Sequence, residues 1–498
     1  FISNNFKDNP KEILDNHYIG QKIKEDEMLF EVNYAIGYIE KLKKEVSAFP
    51  AGVNTEIRFQ RNSTKRVGFL DGRLTSNSTA SGCGVNARIY KNGAYGFASC
   101  PNTDEDGVKF VLKEAAGNAE LLYSRQKPTK PQFPKISATQ EANRHPQDDL
   151  SSQKRLIEFC AEADAYIAKT YKKLVSRSVV ASGLNMEKAL FTSDGVVAHS
   201  FTPRASFYIF MTAEDNEGNM QEMLEPIGDL GCFDEVFSSP TKYYGKIDAL
   251  YEELMKKCEG VYADAGIKDC VLHPDLAGML AHEAVGHTVE ADFVQSGSVA
   301  AHMMNKQVAS ELINMTDFAH TAFGKTLPVP VYVDDEGVEA KDVKIIENGV
   351  LRNYMHNRES AEKFGVEPTG NARAFSFPDE PLIRMRNTFV LPGESKLEEM
   401  IASVKDGYYL TRTGNGQADS TGEFMFGVDM GYEIKNGKLG RAIKSTTISG
   451  VAFEMLKTVT MVSDDLTWTN CGMCGKKQPI PVSMGGPAIK CKLNVGGR

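Results

Sequence analysis

No stretch of this sequence runs apolar for the ~18 residues that a membrane-spanning helix requires, which excludes a helical bilayer span. An excess of positive charge is missing too. The formal net charge is −9, so the basic patch or stripe of a general nucleic-acid binder is not expected. Nor is there a dense, even-numbered cysteine framework. Nine cysteines lie scattered through 498 residues, which argues against a small disulfide scaffold and for free thiols in a reducing, cytoplasmic compartment. The chain starts at Phe1 instead of methionine, so a removed signal peptide ahead of it would leave no trace. Internal repeats with a period of roughly 20–50 residues are absent, which excludes a solenoid or propeller. What is present is ordinary for a globular protein, with 41% hydrophobic and 25% charged residues. The length exceeds the ~250–300 residues that one core serves, so two or more domains are expected.

Periodicity divides the chain. Residues 1–50 form an N-terminal extension, partly helical around Leu29–Leu42. Residues 51–125 alternate at Thr55–Arg61, Gly84–Tyr90 and Ala94–Ser99 around an Asp71-Gly72 turn. A helix follows, opened by Thr103 and an acidic first turn. Residues 126–152, with Pro128, Pro131 and Pro134, read as a linker. Residues 153–260 form a middle α+β segment, with paired strands between Val179 and Thr212 flanked by helices. Residues 261–498 are β-rich: strands are expected at Val329–Val333, Val343–Ile346 and Val350–Tyr354, the last two around Asn348-Gly349. Another is expected at Leu382–Asn387, placing Arg384 and Arg386 on one face. The fold class is α+β: an N-terminal unit of antiparallel strands plus a helix, then a β-rich C-terminal domain that includes one apolar helix opened by Pro274.

That helix carries His282-Glu283-Ala284-Val285-Gly286-His287. Two imidazoles bracketing a carboxylate suit a metal and a base beside it. The spacing is unusual, because a five-residue offset in a regular α-helix turns the second ring about 140° from the first. The histidines are therefore either satisfied side chains with no shared ligand, or the helix carries a π-bulge that absorbs a residue. Leu276, Met279, Leu280 and Ala284 mark a buried face, and Glu283 and His287 fall along it, where an unpaired carboxylate would cost several kcal/mol. A catalytic metal needs a third protein ligand. The pool comprises Glu290, Asp292, His273, His302, His320, His356 and the cysteines, of which Cys471 and Cys474 are the most suggestive. Cys474 precedes Lys476, which would lower its pKa. A redox pair or a structural zinc knuckle would explain Cys471-Gly472-Met473-Cys474 equally, except that extended chain follows and no second pair exists. Spacing alone does not join residue 474 to residue 287.

The chain resembles the TldD/PmbA family of metallopeptidases, in its TldD-like branch. The residues that carry the resemblance run from Leu70-Asp71-Gly72-Arg73-Leu74 and Gly84-Val85-Asn86-Ala87-Arg88 through the histidine motif to Gly370-Asn371-Ala372-Arg373. Arg384-Met385-Arg386-Asn387-Thr388, Gly422-Glu423-Phe424, Cys474-Gly475-Lys476 and Val495-Gly496-Gly497 complete it. The resemblance covers about residues 51–498. It implies a C-terminal metallopeptidase domain in which His282, His287 and Cys474 hold zinc and Glu283 is the catalytic base. It also implies cleavage of unstructured peptides, held as an added strand, and a homodimer or a heterodimer with a PmbA-like subunit. A non-catalytic binding or regulatory role of the PmbA type, including the gyrase-modulating role attached to the family, is the alternative; hydrolysis of a non-peptide amide is a third. Three features depart from the family: the long charged first fifty residues, Cys471 three before the expected ligand, and Lys477-Gln478-Pro479 where glycines are usual.

Overall fold

The computed structural model describes residues 54–91, 93–126, 136, 140–144 and 151–497, and the helix expected in residues 1–50 lies outside them. Two long strands open the described chain. β1 (Asn54–Leu70) and β2 (Arg73–Lys91) pair along their length, with one irregularity at Gly68/Phe69. Their turn is Asp71-Gly72, both left-handed at φ 50° and 82°, the geometry for which Asp-Gly is favoured. β3 (Ala94–Cys100) extends the meander, and α1 (Glu105–Gln126) follows with Glu105 and Asp106 in its first turn. Asp104 caps that helix by accepting the Gly107 N–H at 3.0 Å.

Inside the stretch expected to be a linker, β4 (Gln140–Arg144) forms a strand that runs parallel to β6 (Val197–Glu214). β5 (Ser176–Thr192) pairs with β1 on one side and β6 on the other, and β7 (Met220–Leu230) pairs with β6. Strands from residues 54–100 and 176–230 therefore share one seven-stranded sheet, in the order β3-β2-β1-β5-β6-β4 with β7 also on β6. α2 (Gln153–Thr170) and α3 (Tyr244–Cys258) cover it. Their shared core centres on Phe159, which meets Phe207 and Phe233 edge-on at 5.0 and 5.4 Å.

The rest of the chain holds a ring and a second sheet. Asp406–Ala418, Gly266–Leu272, Ile489–Val495, Thr446–Val451 and Glu423–Lys435 pair in that order, and the last pairs back onto the first, closing a five-stranded barrel. A six-stranded mixed sheet runs in the order Val350–Leu351, Val343–Glu347, Met315–Phe318, Asn387–Val390, Ile480–Gly486, Thr467–Cys474. The helix opened by Pro274 leaves the barrel strand Gly266–Leu272 and packs against strands of both assemblies. Its apolar residues Leu276, Ala277, Leu280, Ala281, Ala284 and Val285 are buried, the face that an amphipathic helix turns to the core.

Three expected strands come out differently. The strand expected at Val350–Tyr354 stops at Leu351. Val329–Val333 is not a strand: Pro328 and Pro330 have no N–H to offer a ladder, and Val329 and Val331 donate to Asn387 Oδ1 and the Ala319 carbonyl at 3.1 and 2.9 Å. Leu382–Asn387 is interrupted after Ile383 and resumes at Asn387. Between them Arg384 N–H bonds the Asn371 carbonyl and Arg386 N–H bonds Asp317 Oδ1, while both guanidinium groups are fully buried. Among the described residues no helix is long and apolar enough to cross a membrane.

Candidate metal centre

The motif helix begins regularly. His273 caps it, its ring accepting the Asp275 N–H at 3.3 Å, and Pro274 takes the first turn. From Leu280 to Gly286 it becomes a π-helix, and the His287 N–H reaches back five residues to the His282 carbonyl. One extra residue per turn is what a five-residue spacing requires if both rings are to face the same point. They do: the ring centroids stand 5.1 Å apart at 79°. The widened turn also redistributes the exposure expected of a regular helix. His282 is the fully buried member, whereas the Glu283 and His287 side chains keep 28% and 21% of their surface.

Cys474 ends the strand Thr467–Cys474 and arrives at the same place. One ligand atom each from His282, His287 and Cys474 lie within 4.8 Å of one another, the metal-type cluster found among the described residues. Cys474 Sγ is 3.3 Å from His287 Nε2, and Glu283 Oε2 is 3.8 Å from the same nitrogen. Burial pushes the Cys474 thiol up, but the neighbouring imidazoles of His282 and His287 outweigh it and hold the group at about 4. The sequence had pointed to Lys476 for that role. Neither ring nitrogen of His282 has a hydrogen-bond partner of proper geometry, although the ring is fully buried.

That orphaned imidazole is the test of whether zinc fits. A buried polar group without a partner costs on the order of 1–3 kcal/mol, and here two imidazoles and one thiolate converge as a zinc donor set with a fourth position left for water. The residues present fit the ion.

A supporting layer surrounds them. His287 Nδ1 lies 3.0 Å from Glu290 Oε2, and Glu290 is fully buried. Glu290 thus stands behind a ligand instead of being one, the carboxylate–histidine arrangement that fixes ring orientation at metal sites. Burial works to raise the Glu290 carboxyl, but His287 and Lys476 pull it below its usual range. Desolvation lowers His287, and Glu290 with Cys474 more than reverses this, to about 10. Lys476 Nζ donates to Glu290 at 3.0 Å, to Asp292 at 2.9 Å and to the Ile383 carbonyl at 3.1 Å. Arg384 donates to the carbonyls of Cys474, Lys476 and Gln478 at 2.8, 3.1 and 2.8 Å, clamping the loop after the cysteine.

The other candidates lie elsewhere. Cys471 faces Ser206 at 3.9 Å and burial raises its thiol. His320 stacks on Tyr332, His356 bonds Ser360, and neither they nor His273 and His302 join the cluster. The positioning of Glu290, Lys476 and Arg384 was not readable from the sequence. The one available signal was an acid three residues past a histidine.

Residues 55–119, 147–232 and 266–497 match the profiles of the PmbA/TldA metallopeptidase domain 1, central domain and C-terminal domain. The chain is 28% identical over 467 residues to a zinc metalloprotease TldD homolog of Saccharolobus solfataricus, covering 92% of this chain and 99% of that one. It is 31% identical over 463 residues to a metalloprotease of Methanocaldococcus jannaschii, covering 91% and 98%. In fold it is similar to the crystal structure of TldE from Thermococcus kodakarensis, with a TM-score of 0.72 at 17% identity, covering 92% and 99%.

Proposed function

The chain belongs to the PmbA/TldA metallopeptidase family, and from that premise we propose that it is a zinc-dependent peptidase acting on unstructured peptides, with Glu283 as general base. The observation that carries this reading is the convergence of His282, His287 and Cys474 within 4.8 Å, from segments 187 residues apart in sequence. His282 and His287 would hold the ion through ring nitrogens and Cys474 through its thiolate. When bound, zinc is a Lewis acid that lowers the pKa of water toward ~7 and polarises a carbonyl.

This chain's own residues do the rest. Glu283 is partly exposed, with an oxygen 3.8 Å from His287 Nε2, and so faces the cluster from its open side. It takes the proton from the attacking water at a carboxylate oxygen and delivers it to the leaving amine. Glu290 accepts the Nδ1 hydrogen of His287 and keeps the opposite nitrogen turned inward. Recognition through main-chain hydrogen bonds, as an added strand, would give the indifference to side chains that such a substrate requires. A homodimer, or a heterodimer with a PmbA-like subunit, belongs to the same reading. A purely binding role gives no reason for the three ligand groups and a carboxylate to converge.

Glu283→Gln tests it. Cleavage of an unstructured peptide should fall by about 10²–10⁴-fold, with about one zinc per chain and an unchanged melting temperature. A variant that cleaves like the parent removes Glu283 from the mechanism.

A further inference from the structure

Three buried arginines grip the two strands around Cys474 without a carboxylate in direct contact. Arg384 holds three carbonyls of the loop, Arg204 bonds the Asn470 carbonyl, and Arg373 bonds the Pro481 carbonyl at 2.8 Å and the Met385 carbonyl at 2.5 Å. All three are more than nine-tenths buried, and among the described residues none has an acidic side chain within ion-pair distance. Elsewhere in this protein buried arginines are matched: Arg386 has Asp317, and Arg88 has Glu56 and Glu336. A buried charge satisfied only by carbonyl dipoles keeps its Coulombic deficit.

Two of the three, Arg204 and Arg373, line a cleft of about 70 Å³ that is open to solvent on one side. That is space for a single carboxylate group, not for a whole small-molecule ligand. Its far wall carries Lys188, and its near wall is Ile480-Pro481, which lies across the strand pair from Cys474 and Met473. The acids of the cleft cancel its cations only in part. Asp335 is already shared between Lys188 at 2.6 Å and Arg58 at 3.6 Å. Asp334 is spent on the backbone N–H groups of Glu336, Val338 and Ala372, and its burial beside Glu336 pushes its pKa well up. Burial holds Arg373 down at about 9 and Lys188 at about 8, the direction that an incoming anion would reverse.

We propose that this cleft is a carboxylate-binding subsite, in which Lys188, Arg204 and Arg373 receive a carboxylate of the peptide substrate, either its C terminus or an acidic side chain. The inference rests on the peptide-binding reading above and names a substrate feature that reading leaves open.

The experiment uses the full chain carrying Glu283→Gln, so that peptides bind without being cleaved. The probe is a short fluorescein-labelled Ala/Gly/Ser peptide in three forms: free acid, C-terminal amide, and amide with one internal glutamate. Fluorescence anisotropy should show the free acid binding about tenfold more tightly than the amide, the scale of a charge-assisted contact. If the internal glutamate restores the loss, the subsite accepts side chains; if not, it reads the terminus. Lys188→Met and, separately, Ser200→Asp, which places a carboxylate at the cleft wall, should erase the preference for the acid. Ser200→Asp should also raise the melting temperature by supplying the missing countercharge. Equal binding of all three peptides, or a preference that survives in both variants, overturns the subsite alone. No binding of any peptide overturns the proposed function and the subsite with it.

Discussion

At the scale of single residues, the candidate centre depends on charges placed one step behind the ligands. Lys476 follows Cys474 by two residues, yet its ammonium crosses to Glu290 and Asp292 and sits 4.6 Å above the Phe293 ring. It thereby ties the cysteine segment to the histidine segment. Lys476→Met would leave buried Glu290 with only His287 as a countercharge and free the imidazole to turn. Zinc affinity, measured by competition with a chromophoric chelator at fixed pH, should fall about 10–100-fold, and Lys476→Arg should recover part of it. His356 makes a different prediction. Burial lowers it to about 4, from an ordinary value near 6.5. The folded protein thus binds this proton less readily than the unfolded chain, so the stabilisation is complete above pH ~6.5 and is lost as pH falls toward 4. The window is worth on the order of 3 kcal/mol. Denaturant melts of His356→Phe, compared with the parent at pH 7 and pH 5, should show the smaller acid loss in the variant.

At the scale of elements, the π-turn is the device that turns an awkward spacing into a site. Gly286 closes it, and a Cβ there would stand 2.1 Å from Met385 Sδ and 3.1 Å from the Ala281 carbonyl. Gly286→Val should therefore destabilise by about 1–3 kcal/mol through overpacking and lower zinc occupancy. Adding Met385→Ala should recover much of the stability, a coupling that a double-mutant cycle by urea unfolding would measure. The bulge was legible only in part: the five-residue spacing left either unshared histidines or a π-bulge, and the family resemblance, which makes both rings ligands, chose the bulge. Turns were legible outright: Asp71-Gly72 and Asn348-Gly349 adopt positive φ that local chemistry demands. Elements governed by distant partners were not. The alternation of Leu382–Asn387 reads as one strand, but its middle breaks because Asn371 and Asp317 take the Arg384 and Arg386 N–H groups. Likewise nothing in residues 54–70 announces that their second neighbour is residues 178–192. The link from residue 287 to residue 474 came from the family resemblance, since spacing carries no information across that distance.

At the scale of the whole molecule, the first sheet and the C-terminal part are joined by buried ions as well as by apolar contact. Arg88, on β2, donates to Glu56 on β1 at 2.9 Å and pairs with Glu336, which is fully buried in the turn Asp334–Val338 ahead of the strand Val343–Glu347. Arg358 completes the circuit, its guanidinium 2.8 Å from Asp194 and 3.7 Å from Glu56, while its backbone N–H donates to Glu336 at 2.8 Å. Desolvation raises Glu56, with Arg88 and Arg358 opposing it, and the neighbouring Glu336 adds to the rise. Such a network contributes little net stability compared with an apolar replacement, yet breaking one member exposes the full desolvation cost of the others. Arg88→Met should therefore cost about 3–5 kcal/mol, because it leaves Glu56 and Glu336 side by side with Arg358 as the network's remaining cation. Arg88→Met combined with Glu336→Gln removes one of these acids and should be more stable than Arg88→Met alone, the reverse of what additive losses predict. Calorimetric unfolding of the parent, the single variants and the double variant decides it: if the double variant melts below Arg88→Met, the pair acts independently and the two parts are held together by packing alone.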